Sequence, residues 1–158
     1  MRKQETIRSL YRSDEFESYY QLLGNKSETK VFPTMKDCFM FALSLGFKLN
    51  KRLPLNKNNR DPIPPRVFTD EDMNIIELIA YTSQDDISIL IAEEATIEKK
   101  CKIIEEYANG GMDIMIKKFC LPSFDETEYR KFVESFQNDA VGSFQTLSGL
   151  IEELVEKK

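Results

Sequence analysis

Between Cys38 and Leu45 the chain reads Cys-Phe-Met-Phe-Ala-Leu-Ser-Leu, with Ser44 the only polar residue. A helix that is apolar almost all round its circumference cannot lie on a surface and belongs at the centre of a domain. Thr34 is a natural N-cap for it, with Asp37 at the third helical position as in a capping box, and Gly46 marks its expected C-terminal end. A second such segment carries Met73, Ile75, Ile76, Leu78, Ile79 and Tyr81. Thr69 caps it, and Asp70, Glu71 and Asp72 place negative charge on its first turn. Two central helices in 158 residues, with 41% hydrophobic and 31% charged residues, predict one folded domain with a real core.

The remaining segments extend this pattern. Ile7, Leu10, Tyr11, Phe16, Tyr19, Tyr20 and Leu23 recur at roughly helical spacing and predict a helix over residues 5–23, stopped at Gly24-Asn25. Pro33 biases Phe32 towards extended geometry, which leaves room for one short strand near residues 30–32. Residues 85–92 are ambiguous: Ile87, Ile89 and Ile91 alternate as in a strand, but Leu90 breaks the pattern and favours a short helix. Ile97, Cys101, Ile104, Tyr107 and Ala108 predict a helix over residues 96–108. Asn109-Gly110-Gly111 is expected to end it, and another helix to follow from Met112 to Leu121. Ser123 to Glu126 forms a capping box for a helix with Tyr129, Phe132, Val133 and Phe136 inward. In the last segment Ala140, Phe144, Leu147, Ile151 and Leu154 are spaced 4, 3, 4, 3. That heptad rhythm suits a core-facing helix or, through Phe144, Leu147, Ile151 and Leu154, a homodimer or partner interface. The expected fold is mainly α: a compact single-domain bundle of six to seven helices over residues 1–158, with residues 123–158 a C-terminal helical pair.

The residue inventory restricts the chemistry. The chain has no histidine and no tryptophan. Without histidine, Ser-His-Asp and Cys-His nucleophiles, HExxH metalloproteases and histidine-bound iron or zinc are excluded. An all-carboxylate magnesium site stays open. Cys38, Cys101 and Cys120 are odd in number and lack a C-x-x-C spacing, so they read as core residues rather than disulfides or zinc ligands. The acidic pairs Asp85-Asp86, Glu93-Glu94, Glu105-Glu106 and Glu152-Glu153 read as solvated faces, because adjacent carboxylates on a helix point about 100° apart. Gly110-Gly111 has no lysine-serine or lysine-threonine after it and is no phosphate-binding loop. No catalytic constellation, cofactor site or metal site is therefore expected, and the protein reads as a non-enzyme. No apolar run reaches the roughly 20 residues of a membrane span, and Met1 to Leu10 lacks the apolar stretch of a signal peptide, so a cytoplasmic location is expected.

Charge singles out one segment. The net charge is -5, yet Lys36 to Arg66 holds seven basic and two acidic residues, and Val67 to Ile116 three basic and twelve acidic. Residues 48–66 contain four of the six prolines and read as a long basic loop. Lys48, Lys51, Arg52, Lys57, Arg60 and Arg66 are interleaved with Asn50, Asn56, Asn58 and Asn59. Such side chains can contact DNA phosphates or an acidic protein partner, although no aromatic residue is present for base stacking. The alternative is a loop kept wet by its charges.

Two segments together carry a resemblance. One runs Val31-Phe32-Pro33-Thr34-Met35-Lys36-Asp37 through Phe41-Ala42 and Leu45-Gly46-Phe47 to Lys51-Arg52-Leu53-Pro54-Leu55. The other, more specific, is Ile103-Ile104-Glu105-Glu106-Tyr107-Ala108-Asn109-Gly110-Gly111-Met112-Asp113-Ile114. In order and separation, over residues 30–120, they resemble the DNA phosphorothioation-associated protein 4 family, also called Dnd system-associated protein 4. The resemblance implies a small helical protein that accompanies bacterial systems replacing a phosphate oxygen of DNA with sulfur, and the restriction partners that read this mark. It carries no functional residues with it. The function so implied is a non-catalytic accessory protein of a DNA-modification or antiphage system, docking on larger subunits and touching DNA backbone through the basic loop. The alternatives are a DNA-binding transcriptional regulator and a carboxylate-metal nuclease component.

Overall fold

The computed structural model describes residues 3–25 and 31–118. Four α-helices lie among them: α1 (Glu17–Gly24), α2 (Met35–Lys48), α3 (Asp70–Gln84) and α4 (Glu94–Lys118). Short 3-10 turns cover Lys3–Thr6, Asp14–Phe16, Pro65–Val67 and Ile87–Leu90. The class is mainly α, as expected. The expected C-terminal pair, with Phe144, Leu147, Ile151 and Leu154, and Cys120 lie outside the described residues.

Both threonine caps form. Thr34 Oγ1 accepts from the Asp37 amide at 3.2 Å. Thr69 accepts from the Asp72 amide at 3.1 Å while Asp72 accepts from the Thr69 amide at 2.9 Å, a complete capping box. Each cap satisfies amides the helix leaves orphaned and contributes about 1 kcal/mol. The helices start here because a β-region threonine hands its hydroxyl to the third residue.

α2 is the centre, as its composition demands. Cys38, Phe39, Ala42 and Leu43 are fully buried, against Met73 and Ile76 of α3 and Cys101, Ile104 and Met112 of α4 within one core. Its most extensive neighbour is α4.

Three expectations need correction. The stretch 5–23 is α-helical only from Glu17 onward, with 3-10 turns at Lys3–Thr6 and Asp14–Phe16 before it. Leu10 and Ser13 instead form isolated antiparallel bridges with Ile63 and Asn58 of the basic loop. Leu10 pairs with Ile63 through reciprocal 2.9 Å bonds, so the apolar periodicity there reflects a buried extended segment. No strand forms at residues 31–32. The Val31 and Phe32 amides both donate to the Leu23 carbonyl, closing the end of α1. The third correction concerns glycine. Gly46 lies inside α2, which continues to Lys48, and Asn109-Gly110-Gly111 lies inside the unbroken α4. These glycines exist for close approach. A Cβ at Gly46 would sit 1.9 Å from the Tyr107 carbonyl oxygen, and one at Gly111 would sit 1.7 Å from that of Ala42. α2 and α4 cross backbone to backbone, and only residues without a side chain fit at the crossing.

Candidate functional site

The basic loop is built onto the middle of α4, and the stretch Glu105 to Asp113 holds it there. Residue Asn50 takes a left-handed conformation, φ 53°, and turns the chain out of α2. The loop then runs across α4 at Gly110, where an added Cβ would meet the Lys51 carbonyl oxygen at 2.1 Å. Lys51 Nζ donates to Asp113 at 2.6 Å, and Arg52 donates to Glu106 at 2.7 and 3.2 Å. The Leu53 amide donates to the Glu106 carbonyl at 3.0 Å. Asn109 Nδ2 donates to the carbonyls of Leu53 and Pro54, both at 3.2 Å. The Arg52 guanidinium also lies 5.4 Å over the Tyr107 ring, and Phe47 packs edge-on to the same ring at 5.5 Å. An arginine over an aromatic face gains an electrostatic attraction on top of its ion pair.

The N-terminal segment closes on the same helix from beside the loop. Arg8 donates to Glu105 at 2.7 and 3.1 Å and to Glu98 at 2.7 and 2.9 Å. The Tyr11 amide adds a 2.6 Å bond to Glu105. Arg12 is almost fully buried. It makes two bonds to Glu17 at 2.7 and 2.9 Å and reaches the loop through Asn59 at 3.3 Å and the Asp61 carbonyl at 2.9 Å.

The electrostatics follow from these partners. Burial pushes the Asp113 carboxyl up, but the hydrogen bonds from Lys51 and Lys117 outweigh it and hold the group below the usual carboxylate range. Glu98 is held low by its hydrogen bonds from Arg8. Burial pushes the Cys101 thiol up to about 11 and raises that of Cys38 further, so both remain neutral thiols in the core.

The predicted site residues therefore separate into two groups. Lys51 and Arg52 pair with carboxylates of α4 while keeping 34% and 37% of their side chains exposed. Lys48, at the end of α2, and Lys57, Arg60 and Arg66 lie exposed. Lys57 stands 3.8 Å from Asp14, a loose surface pair. Arg66 lines a surface depression with Gln4, Glu5, Ile7, Pro64 and Pro65. The asparagines fix the loop: Asn59 is buried, accepts from the Asp61 amide at 2.8 Å, and donates to Asp14 at 3.3 Å. Glu105-Glu106 is not a solvated face, since both residues are buried and ion-paired. Asp85-Asp86 and Glu93-Glu94 are exposed, as expected. Among the described residues no three acidic or cysteine side chains converge as ligands for a cation.

Sequence reasoning missed Arg8, Arg12, Asn109 and Asp113 as parts of this assembly. One signal was available. Cys101, Ile104, Ala108, Met112 and Met115 keep helical spacing straight through the glycine pair, so the period itself argues for one helix.

The residues that clasp the loop are those of the more specific resembling segment, and the comparison with known families agrees. The family described as DNA sulphur modification system-associated protein 4 matches residues 10–133. The chain belongs to this family. The match begins at Leu10, where the buried extended segment meets the loop, well before the 30–120 region read from sequence. As a member of the family, the protein is associated with a DNA sulphur modification system. No curated protein and no solved structure matches the chain.

Proposed function

We propose that this protein is a non-catalytic accessory component of a bacterial DNA sulphur-modification system or its allied antiphage defence, acting by docking on larger subunits in the cytoplasm. The family assignment sets the context. The observation that carries the reading is the use of the buried charge on α4. Glu105, Glu106 and Asp113 each hold a cation from the N-terminal segment or the loop, which is how a chain builds a rigid docking surface. A carboxylate set for acid-base or metal chemistry keeps lone pairs pointed into a pocket, and these point into ion pairs.

A contribution from DNA backbone belongs to the same reading, on a smaller scale than the basic loop suggests. With Lys51 and Arg52 committed to carboxylates of α4, Lys48, Lys57, Arg60 and Arg66 are the other exposed cations of the loop region. Four cations suit an auxiliary contact by a protein already held by its partners. The direct test is affinity capture of the tagged full chain from its native host. Recovery of DNA-modification or restriction subunits in stoichiometric amounts is expected. Capture that returns no DNA-processing or defence protein overturns the proposal.

A further inference from the structure

The exposed large apolar side chains of the described residues are unevenly placed. Val67, Ile75, Leu78, Tyr81, Ile87 and Ile91 fall in one segment, with Val31 the exception. On α3, Ile75, Leu78 and Tyr81 share the outer face, opposite the core residues Met73, Ile76, Ile79 and Ala80. Leu78 is 62% exposed. In the 3-10 turn that follows, Ile89 points into the core while Ile87 and Ile91 are 72% and 52% exposed. Scattered single apolar residues need no explanation, but six within one helix and the segments that flank it, with the helix packed on the turn that follows, do.

The segment that carries this surface is acidic. From Val67 to Glu98 there are nine acidic residues and no basic one. Glu71, seven residues before Leu78, shares its helical face, and Asp85 caps the far end of the helix. Asp70, Asp86, Glu93 and Glu94 are also exposed. The cations that touch it lie at its edges: Lys36 pairs with Asp72 at 2.8 Å in the first turn of α3, Lys3 bonds Asn74, and Lys99 acts on Asp86.

We infer that the outer face of α3 and the turn Ile87–Leu90 form a docking surface for a basic amphipathic helix of a partner protein. An apolar stripe satisfies Leu78, Ile87 and Ile91, and flanking lysines and arginines meet the carboxylate rim, as in helix-in-groove recognition. Charge argues against the other occupants. A second copy meeting this face with its own would bring carboxylates against carboxylates. The segment 119–158 holds eight acidic and four basic residues, the wrong sign for the rim. DNA is excluded on the same ground. The inference rests on the docking function proposed above and names the partner's chemistry.

The experiment titrates the full-length chain into a fluorescent synthetic helix with leucines at i, i+3, i+4 and i+7 and lysines elsewhere, read by anisotropy. Saturable binding that weakens with salt is expected. The variant Leu78→Ser/Ile87→Ser should weaken it at least about tenfold, because two apolar side chains no longer leave water on binding. Val31→Ser, an exposed apolar site outside this surface, should leave it unchanged. All three positions are exposed, and circular dichroism checks that each variant is folded. Binding that is absent, or indifferent to the double variant, overturns the inference. So does self-association of the wild type that the double variant abolishes, because the occupant is then a second copy. Host capture separates the two proposals: if the double variant recovers the same subunits as the wild type, the docking function stands and this face is not its site.

Discussion

A methyl group added at Gly111 would overlap the Ala42 carbonyl oxygen, and this reverses the usual effect of glycine in a helix. On an exposed helix, Gly→Ala stabilises by about 1 kcal/mol. At the α2–α4 crossing the overlap is with backbone, which cannot rotate away. We expect Gly111→Ala to lower the unfolding free energy by roughly 2–3 kcal/mol, measured by urea denaturation. Lys100 makes a second test at this scale. Its side chain is fully buried, and its Nζ has no hydrogen-bond partner among the described residues. Burial lowers its pKa, with Glu77 opposing, so the unfolded chain binds the proton more tightly than the folded one. Stability contributed by this site therefore rises with pH between the lowered folded value and the unfolded value near 10.5. Lys100→Met should stabilise at neutral pH by about 1–3 kcal/mol, with the gain narrowing as pH approaches that of free lysine. Thermal melts of both proteins across an alkaline pH series check the direction.

At the scale of elements, the loop and the N-terminal segment are held to α4 by charge, and the pairs differ in worth according to burial. Arg8→Ala would leave Glu105, whose side chain is 6% exposed, without its cation. A loss of about 3–5 kcal/mol is expected from breaking such a buried pair. Lys57→Ala, at a side chain 70% exposed and 3.8 Å from Asp14, should change stability by less than about 0.5 kcal/mol. Denaturant titration of the two variants side by side decides whether the clasp is the structural unit. These elements also show what the sequence made legible. The starts of α2 and α3 were readable because a threonine cap is local chemistry. The unity of α4 was not, because glycine serves equally as a helix stop and as a point of backbone contact, and only the partner helix distinguishes them. The burial of Glu105 and Glu106 was hidden for a related reason. Their cations, Arg8 and Arg52, are 97 and 54 residues away. The basic loop was found as a cluster, but which of its cations face outward is set by α4, not by the loop.

For the whole molecule, charge is sorted along the chain into a basic loop, residues 48–66, and an acidic, partly apolar segment, residues 67–98. This sorting bounds any interaction with nucleic acid. If Lys48, Lys57, Arg60 and Arg66 all meet phosphates, the dependence of log binding constant on log salt has a slope no steeper than about -3.6. Filter binding to duplex DNA over a salt series measures it. A steeper slope would mean that cations beyond these four meet phosphate, and repeating the series with Lys51→Ala/Arg52→Ala tells whether that pair leaves α4.

The backbone crossing of α2 with α4 also has a consequence for synthesis. α2 ends at Lys48, and the helix that covers it is complete only at Lys118, about seventy residues later. At elongation rates of about 5–20 residues per second, the most apolar of the described helices waits roughly 4–14 seconds for its cover. During that interval Phe39, Met40 and Leu43 have no lasting partner on α4. The nascent chain is then a natural client for a chaperone at the ribosome, and truncation before α4 should yield an insoluble product.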